Sequence, residues 1–361
     1  MKNRKTWIMT TALLLAVMLM AGAMGRAEPA GGPAAANPAP DIYERVAPAV
    51  VQVRNIAETW SPETGASTEV ALYASGVYIE EGYVLTNWHV VYEADYLEVE
   101  TPDGQTVRAK NVYTDDSVDL AVLELAAPLE GVTPVPLGDS QGVRPGEPAI
   151  VIGNPVLDDI VFPATVTTGI ISGVNRSSDG LGYFSRAVPL IQLDAALNIG
   201  CNGGALLNMR GELVGLVTLM AGLVDDVVYQ GLGFAIPAET IRRVAGDLIE
   251  HGAVRRPRMG VMVSDLDGPE EPIRTYPPCG LLVSEIDEDG PAGKAGMEMY
   301  DIIVEFDGVR VHSFNELSAI LDTHEAGDVV HVKAYRCLDE EGYMTDNPKY
   351  VEFDIELGIL D

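Results

Sequence analysis

The sequence is poor in cysteine, in histidine and in basic residues. Its three cysteines, Cys201, Cys279 and Cys337, share no CxxC spacing in 361 residues. That excludes zinc ribbons, thioredoxin-like redox motifs and a disulfide scaffold. His251, His312, His324 and His331 are scattered without HExxH or paired-ligand spacing, so no metal and no other cofactor is expected. Lys and Arg number 23 against 54 Asp and Glu, a formal charge of −31. Such a surface repels phosphate backbones, which excludes nucleic acid as a partner. Charged residues reach only 21% beside 47% hydrophobic, so the chain is not a disordered one. At about 150 residues per domain, its length suggests two domains.

What is present begins with an export pattern. Lys2, Arg4 and Lys5 precede an uncharged run from Trp7 to Gly25. A basic stretch before an apolar one reads as a secretory signal, cleaved near Ala21 and Ala23 or Gly25 and Ala27. About 20 apolar residues also span a bilayer, so an uncleaved anchor reads equally well. Either way the remainder lies outside the cytoplasm, secreted, periplasmic or cell-surface, with or without a membrane tether. A spacer of Pro, Ala and Gly follows, with too few large apolar groups to fold.

From Ile42 to Pro237 the chain reads as short strands, at 49–53, 76–79, 83–86, 120–125, 149–152, 165–172 and 212–219. Turn chemistry at Glu81-Gly82, Pro102-Asp103-Gly104 and Met209-Arg210-Gly211 separates neighbours. Many short strands without long helical patterns indicate an all-β barrel or sandwich. After Pro237 the apolar spacing of Ile241, Val244, Ala245, Leu248 and Ile249 turns helical, and Gly252 stops it. Arg255-Arg256-Pro257-Arg258 reads as a linker. Beyond it come strands at 280–286, 302–306, 329–335 and 350–357, and one helix opened by a Ser313–Glu316 capping box.

Three motifs carry chemistry. They are Thr86-Asn87-Trp88-His89, Asp119-Leu120-Ala121-Val122, and Asn198-Ile199-Gly200-Cys201-Asn202-Gly203-Gly204. Amide hydrolysis by a nucleophile needs a base, a carboxylate to orient it, and backbone N–H donors beside the nucleophile. His, then Asp, then a glycine-flanked turn on an all-β chain resembles the trypsin-fold serine proteases, and more closely the HtrA family. Ser75-Gly76-Val77, Ile152-Gly153-Asn154-Pro155 and Gly231-Leu232-Gly233-Phe234-Ala235-Ile236-Pro237 are similar to that family's motifs. So are Pro291-Ala292 and Phe306-Asp307-Gly308 of its PDZ domain.

The resemblance implies His89 as base, Asp119 as its orienter, and an oxyanion hole from the N–H groups of Gly200 and residue 202. The family's Gly-Asn-Ser-Gly-Gly reads here Gly200-Cys201-Asn202-Gly203-Gly204, so Asn202 stands at the nucleophile position. A carboxamide has no acidic O–H, and the triad is expected to be degenerate. Cys201 is the alternative nucleophile, one residue early and expected to face inward as a small buried group. Ile199 and Cys201 also depart from the pattern. They suggest that restoring serine at 202 would need Cys201→Asn beside it.

Met259-Gly260-Val261 resembles the loop with which PDZ domains receive a free carboxyl terminus. The expected fold class is therefore all-β with a small α+β domain: a trypsin-like double β-barrel followed by a PDZ-like domain. The divisions are 1–27 (signal or anchor), 28–40 (linker), 41–254 (protease-fold domain) and 255–361 (PDZ-like domain). The implied function is extracytoplasmic protein quality control, by binding unfolded proteins or peptides with free C-termini. An active endopeptidase is the rival reading. Trimers are usual in the resembled family, so a homotrimer is one assembly it implies.

Overall fold

A computed structural model describes residues 37–61, 66–158, 160–178, 181, 184, 186–220, 223–224, 227–228, 230–269, 278–338 and 344–359. The expected signal or anchor lies outside the described residues, as does most of the linker. No helix among the described residues is long and apolar enough to cross a membrane.

Helix α1 (Ala39–Val46) begins within the stretch expected to be linker. The first barrel then closes in the order β1 (Val50–Ser61), β2 (Ala66–Glu80), β3 (Tyr83–Thr86), β6 (Leu120–Leu125), β5 (Thr106–Asp115), β4 (Tyr96–Glu100). Between β3 and β4 sits a single helical turn, α2 (Trp88–Val91). Period-two alternation explains the closure of this barrel: Val51 and Val53 are buried on one face of β1, Gln52 and Arg54 stand on the other.

The second barrel takes β7 (Pro148–Gly153), with two short strands β8 (Val156–Leu157) and β9 (Ile160–Val161) looping off it. It continues through β10 (Thr165–Ser177), β11 (Pro189–Leu193), β12 (Ala205–Leu207) and β13 (Leu213–Met220). After the small hairpin β14 (Leu223–Val224) and β15 (Val227–Val228) comes β16 (Gly233–Pro237), and the barrel closes in the order β10-β11-β16-β13-β12-β7. Ala149, Val151, Ile171, Leu193, Leu206 and Val217 fill its core.

Helix α3 (Ala238–His251) runs as its apolar spacing dictates, burying Ile241, Val244 and Leu248, and ends on Gly252 at φ 77°. It packs against β5 and β6 of the first barrel and β13 and β16 of the second. The chain then forms β17 (Pro257–Arg258), which pairs with the last strand, β24 (Gly358–Ile359). Between them a sheet runs β18 (Val261–Leu266), β19 (Gly280–Ile286), β20 (Ile302–Phe306), β22 (Val329–Leu338), β23 (Met344–Glu356), with β21 (Val309–Arg310) on β20. Helices α4 (Pro291–Lys294) and α5 (Phe314–Leu321) cover it.

Two local readings of the sequence change. The Ser313 hydroxyl does accept from the Glu316 N–H at 3.3 Å, but Glu316 Oε2 accepts from the His312 N–H at 2.7 Å instead of closing the box on Ser313. Arg256 is not a solvated linker residue. Its guanidinium pairs with Asp115, whose side chain is 3% exposed at the end of β5.

Candidate functional site

His89 lies on the single turn α2, after β3 has delivered Thr86 and Asn87 to the barrel's end. Asp119 follows a 3₁₀ turn at Asp116–Val118 and takes a left-handed conformation, φ 56°, before β6 begins. Such a backbone costs about 1–2 kcal/mol for a non-glycine residue, and the surrounding bonds hold it there. Asn87 Nδ2 donates to the Asp119 carbonyl at 3.1 Å. The carboxylate is fully buried, with both oxygens 2.9 Å from His89 Nδ1. It also accepts from the His89 N–H at 3.0 Å and from the Thr218 hydroxyl on β13. Thr218 is a member of this constellation that nothing in the sequence singles out.

This arrangement fixes the imidazole tautomer. Nδ1 carries the proton toward Asp119, so Nε2 of the neutral ring is an acceptor. Asn202 answers it: its Nδ2 lies 2.9 Å from Nε2. The sequence-predicted residues His89, Asp119 and Asn202 thus converge in space.

The loop that carries Asn202 is held from beneath. Ser75 donates from its N–H to the Asn202 carbonyl at 2.8 Å and from its hydroxyl to the Gly200 carbonyl at 2.7 Å. Gly203, at φ 80°, admits no side chain: a Cβ there would lie 2.0 Å from the Ser75 carbonyl oxygen. The Cys201 N–H turns inward to the Asn198 carbonyl at 3.0 Å. Among the described residues, the N–H groups of Gly200 and Asn202 on either side of it have no acceptor. Two free N–H groups flanking an inward one can receive a developing oxyanion. Ile199 is 71% exposed and does not press on the loop.

Cys201 is buried, and burial pushes its thiol above the ordinary range. Cys337, in the sheet of the last hundred residues, is pushed up to about 11 by burial and the nearby Asp301 charge. A raised thiol value means less thiolate, about one part in 10³ at pH 8 for Cys337. Iodoacetamide at pH 8 is therefore expected to label half-buried Cys279 first in the native protein, and all three cysteines only in urea. Equal labelling of the three in the native protein would contradict this.

A second surface lies on the sheet that follows Arg258. Gly260 adopts φ 78°, and its carbonyl accepts from the Asp287 N–H at 2.9 Å, while the Met259 carbonyl accepts from Ala292 at 2.8 Å. Those bonds pin the turn that leads into Val261. Among the described residues β18 is an edge strand, paired only with β19, and α5 stands beside it through the Phe314 N–H bond to Asp265 Oδ1 at 2.8 Å. Val261 and Val263 of β18 pack against the core that includes Leu317 of α5, while Met262 and Phe314 are 60% and 43% exposed.

Known proteins share both parts. A trypsin-like peptidase domain matches residues 74–216 and a PDZ domain matches residues 257–357. The serine protease Do-like HtrA of Bacillus subtilis is 36% identical over 321 residues, covering 82% of this chain and 69% of that protein. The periplasmic serine endoprotease DegP of Escherichia coli is 34% identical over 266 residues, covering 73% of this chain and 54% of that one. Among solved structures, the HtrA-type protease AlgW with a decapeptide is 29% identical, with a TM-score of 0.70, covering 90% of this chain and 99% of that one. With its double barrel, its PDZ domain and these relatives, the chain belongs to the HtrA family of serine endoproteases and chaperones.

Proposed function

We propose that this HtrA-family chain is catalytically degenerate and acts in extracytoplasmic protein quality control by binding unfolded proteins and free peptide termini. The observation that carries this reading is the Asn202 carboxamide facing His89 Nε2 at 2.9 Å. The nitrogen lone pair of an amide is delocalised, and a neutral imidazole is too weak a base to free it. Asn202 therefore occupies the place of a nucleophile without supplying one. Burial and a raised thiol value weigh against Cys201 as a substitute. The decisive measurement is digestion of an unfolded protein by the wild-type chain. No cleavage above background is expected, and a rate lost in His89→Ala would overturn the proposal.

Binding is assigned to Met259, Gly260 and Val261 with β18 and α5. The backbone donors of that turn receive a terminal carboxylate, and the edge strand adds the peptide by β-augmentation. A hydrogen bond to a charged group contributes roughly 1.5–3 kcal/mol, so amidating the peptide terminus should weaken binding about tenfold to a hundredfold. Calorimetry with the full chain and an apolar peptide in both forms checks this. Equal affinity for acid and amide would remove the carboxylate from the recognition.

A further inference from the structure

The Asn202 site keeps its donors although it has no nucleophile. Among the described residues the Gly200 and Asn202 N–H groups have no acceptor, while the Cys201 N–H between them turns inward to Asn198. A third donor comes from the side chain. Asn202 Nδ2 carries two hydrogens, and only one of them can point at His89 Nε2, 2.9 Å away. The Asp119 carboxylate lies behind the imidazole and is taken up by His89 Nδ1, the His89 N–H and the Thr218 hydroxyl. Solvent reaches the site: the His89 side chain is 15% exposed, Asn202 is half-buried and Ile199 is exposed.

The same carboxamide decides what can bind. In amide hydrolysis the histidine hands its proton to the leaving amine, so the residue after the reacting carbonyl passes within hydrogen-bond distance of Nε2. Asn202 Nδ2 now holds that place. A polypeptide that continues past the N–H pair meets this side chain, whereas one that ends there does not. A chain end also brings the matching charge. A carboxylate has two acceptor oxygens and no donor, and its bonds from N–H groups are charge-assisted. One oxygen takes the Gly200 and Asn202 N–H groups, and the other takes the second Nδ2 hydrogen. A cation finds only donors here, and a neutral carbonyl has one oxygen for the three of them.

Strand β8 is tied to this loop by the Val156 N–H, which donates to the Ile199 carbonyl at 2.8 Å. Leu157, Ile160 and Ile199 are 63%, 61% and 71% exposed, so large apolar side chains border the donors on an otherwise acidic chain. We propose that the Asn202 site binds the free carboxyl end of an apolar peptide, as an earlier endopeptidase cleavage leaves it, and excludes internal segments. The proposal rests on the reading of Asn202 as a non-nucleophile. It gives the chain a carboxylate site separate from the Met259–Val261 turn.

NMR on the full chain with isotope-labelled histidine tests this, the His89 ring resonances being assigned by their loss in His89→Ala. The probes are an apolar hexapeptide as its acid, the same peptide amidated, and the peptide extended by two residues and amidated. At about millimolar concentration the acid is expected to shift His89 saturably, and the last peptide residue should give NOEs to the His89 ring. Those NOEs mark contact at the site, as opposed to an effect relayed from the Met259–Val261 turn. Both amidated forms should bind there about tenfold to a hundredfold more weakly. Asn202→Ala, which removes the third donor and opens the leaving-amine place, should shrink the acid's advantage over the extended peptide by about tenfold. Equal response to acid and amide, no contact with His89, or an advantage unchanged in Asn202→Ala would each overturn the proposal. Digestion of an unfolded protein by the wild-type chain would instead remove the reading beneath it, whatever the titrations show.

Discussion

The Asn202→Ser variant is expected to digest an unfolded substrate at least about 10³-fold faster than the wild-type chain. In subtilisin, losing the nucleophile costs about 10⁶ in kcat, so a partial recovery of that size is a restrained figure. What it needs is already in place. His89 Nε2 faces residue 202, Asp119 holds Nδ1 from two oxygens, and among the described residues the Gly200 and Asn202 N–H groups have no acceptor. A serine hydroxyl is one bond shorter than the carboxamide, so the hydroxyl–imidazole bond closes fully only with substrate bound. The sequence pattern around Ile199 and Cys201 pointed to a second repair, Cys201→Asn. The outward Ile199 side chain and the Cys201–Asn198 bond favour the single change as sufficient. Adding His89→Ala to Asn202→Ser should return the rate to the wild-type level. If the three proteins cleave equally, the loop is not a usable oxyanion site.

Arg256→Ala is expected to lose about 3–5 kcal/mol of stability, because it leaves the Asp115 carboxylate buried without its counter-charge. At roughly 2–4 °C per kcal/mol, the melting temperature should drop by about 6–20 °C. Asp115 Oδ1 already takes the Ser117 N–H at 3.0 Å and the Ser117 hydroxyl at 2.6 Å. Those bonds shape the turn that sets Asp119. The same substitution is therefore expected to loosen hydrogen-exchange protection at Asp119 before the rest of the barrel. The double variant Asp115→Asn/Arg256→Met should recover most of the loss, since neither charge is then stranded. A melting temperature within about 1 °C of wild type for Arg256→Ala would identify the pair as a solvent-screened contact.

Much of this was legible in the sequence, for identifiable reasons. Strand positions followed from alternation and turn residues, and α3 from its 3.6-residue spacing and Gly252. That residue 202 lies beside His89 was legible because the neighbours of Asn202 keep their register. Thr218 was not, since it sits in the run Leu213–Met220 and reads as one more strand residue. Nor was Arg256, because RRPR has the local composition of a linker, and its partner lies 141 residues away. The true lengths of β1 and β2 were also missed. Their paired ends run out to Ser61 and Ala66, past Ile56, where β4 stops pairing with β1.

The position of α3 sets an order of events during synthesis. β6 leaves the ribosome roughly a hundred residues before α3, the helix that covers it, or about 5–20 s at ordinary elongation rates. Thr218, which bonds the Asp119 carboxylate, also emerges long after it. Over that interval the first barrel stands with the apolar patch beneath α3 uncovered and its buried Asp119 bonded to His89 but without the Thr218 hydroxyl. This is a window for association with a holdase or with another nascent chain. Slowing translation between β6 and α3 should lengthen that window and lower soluble yield, even though the finished protein is unchanged.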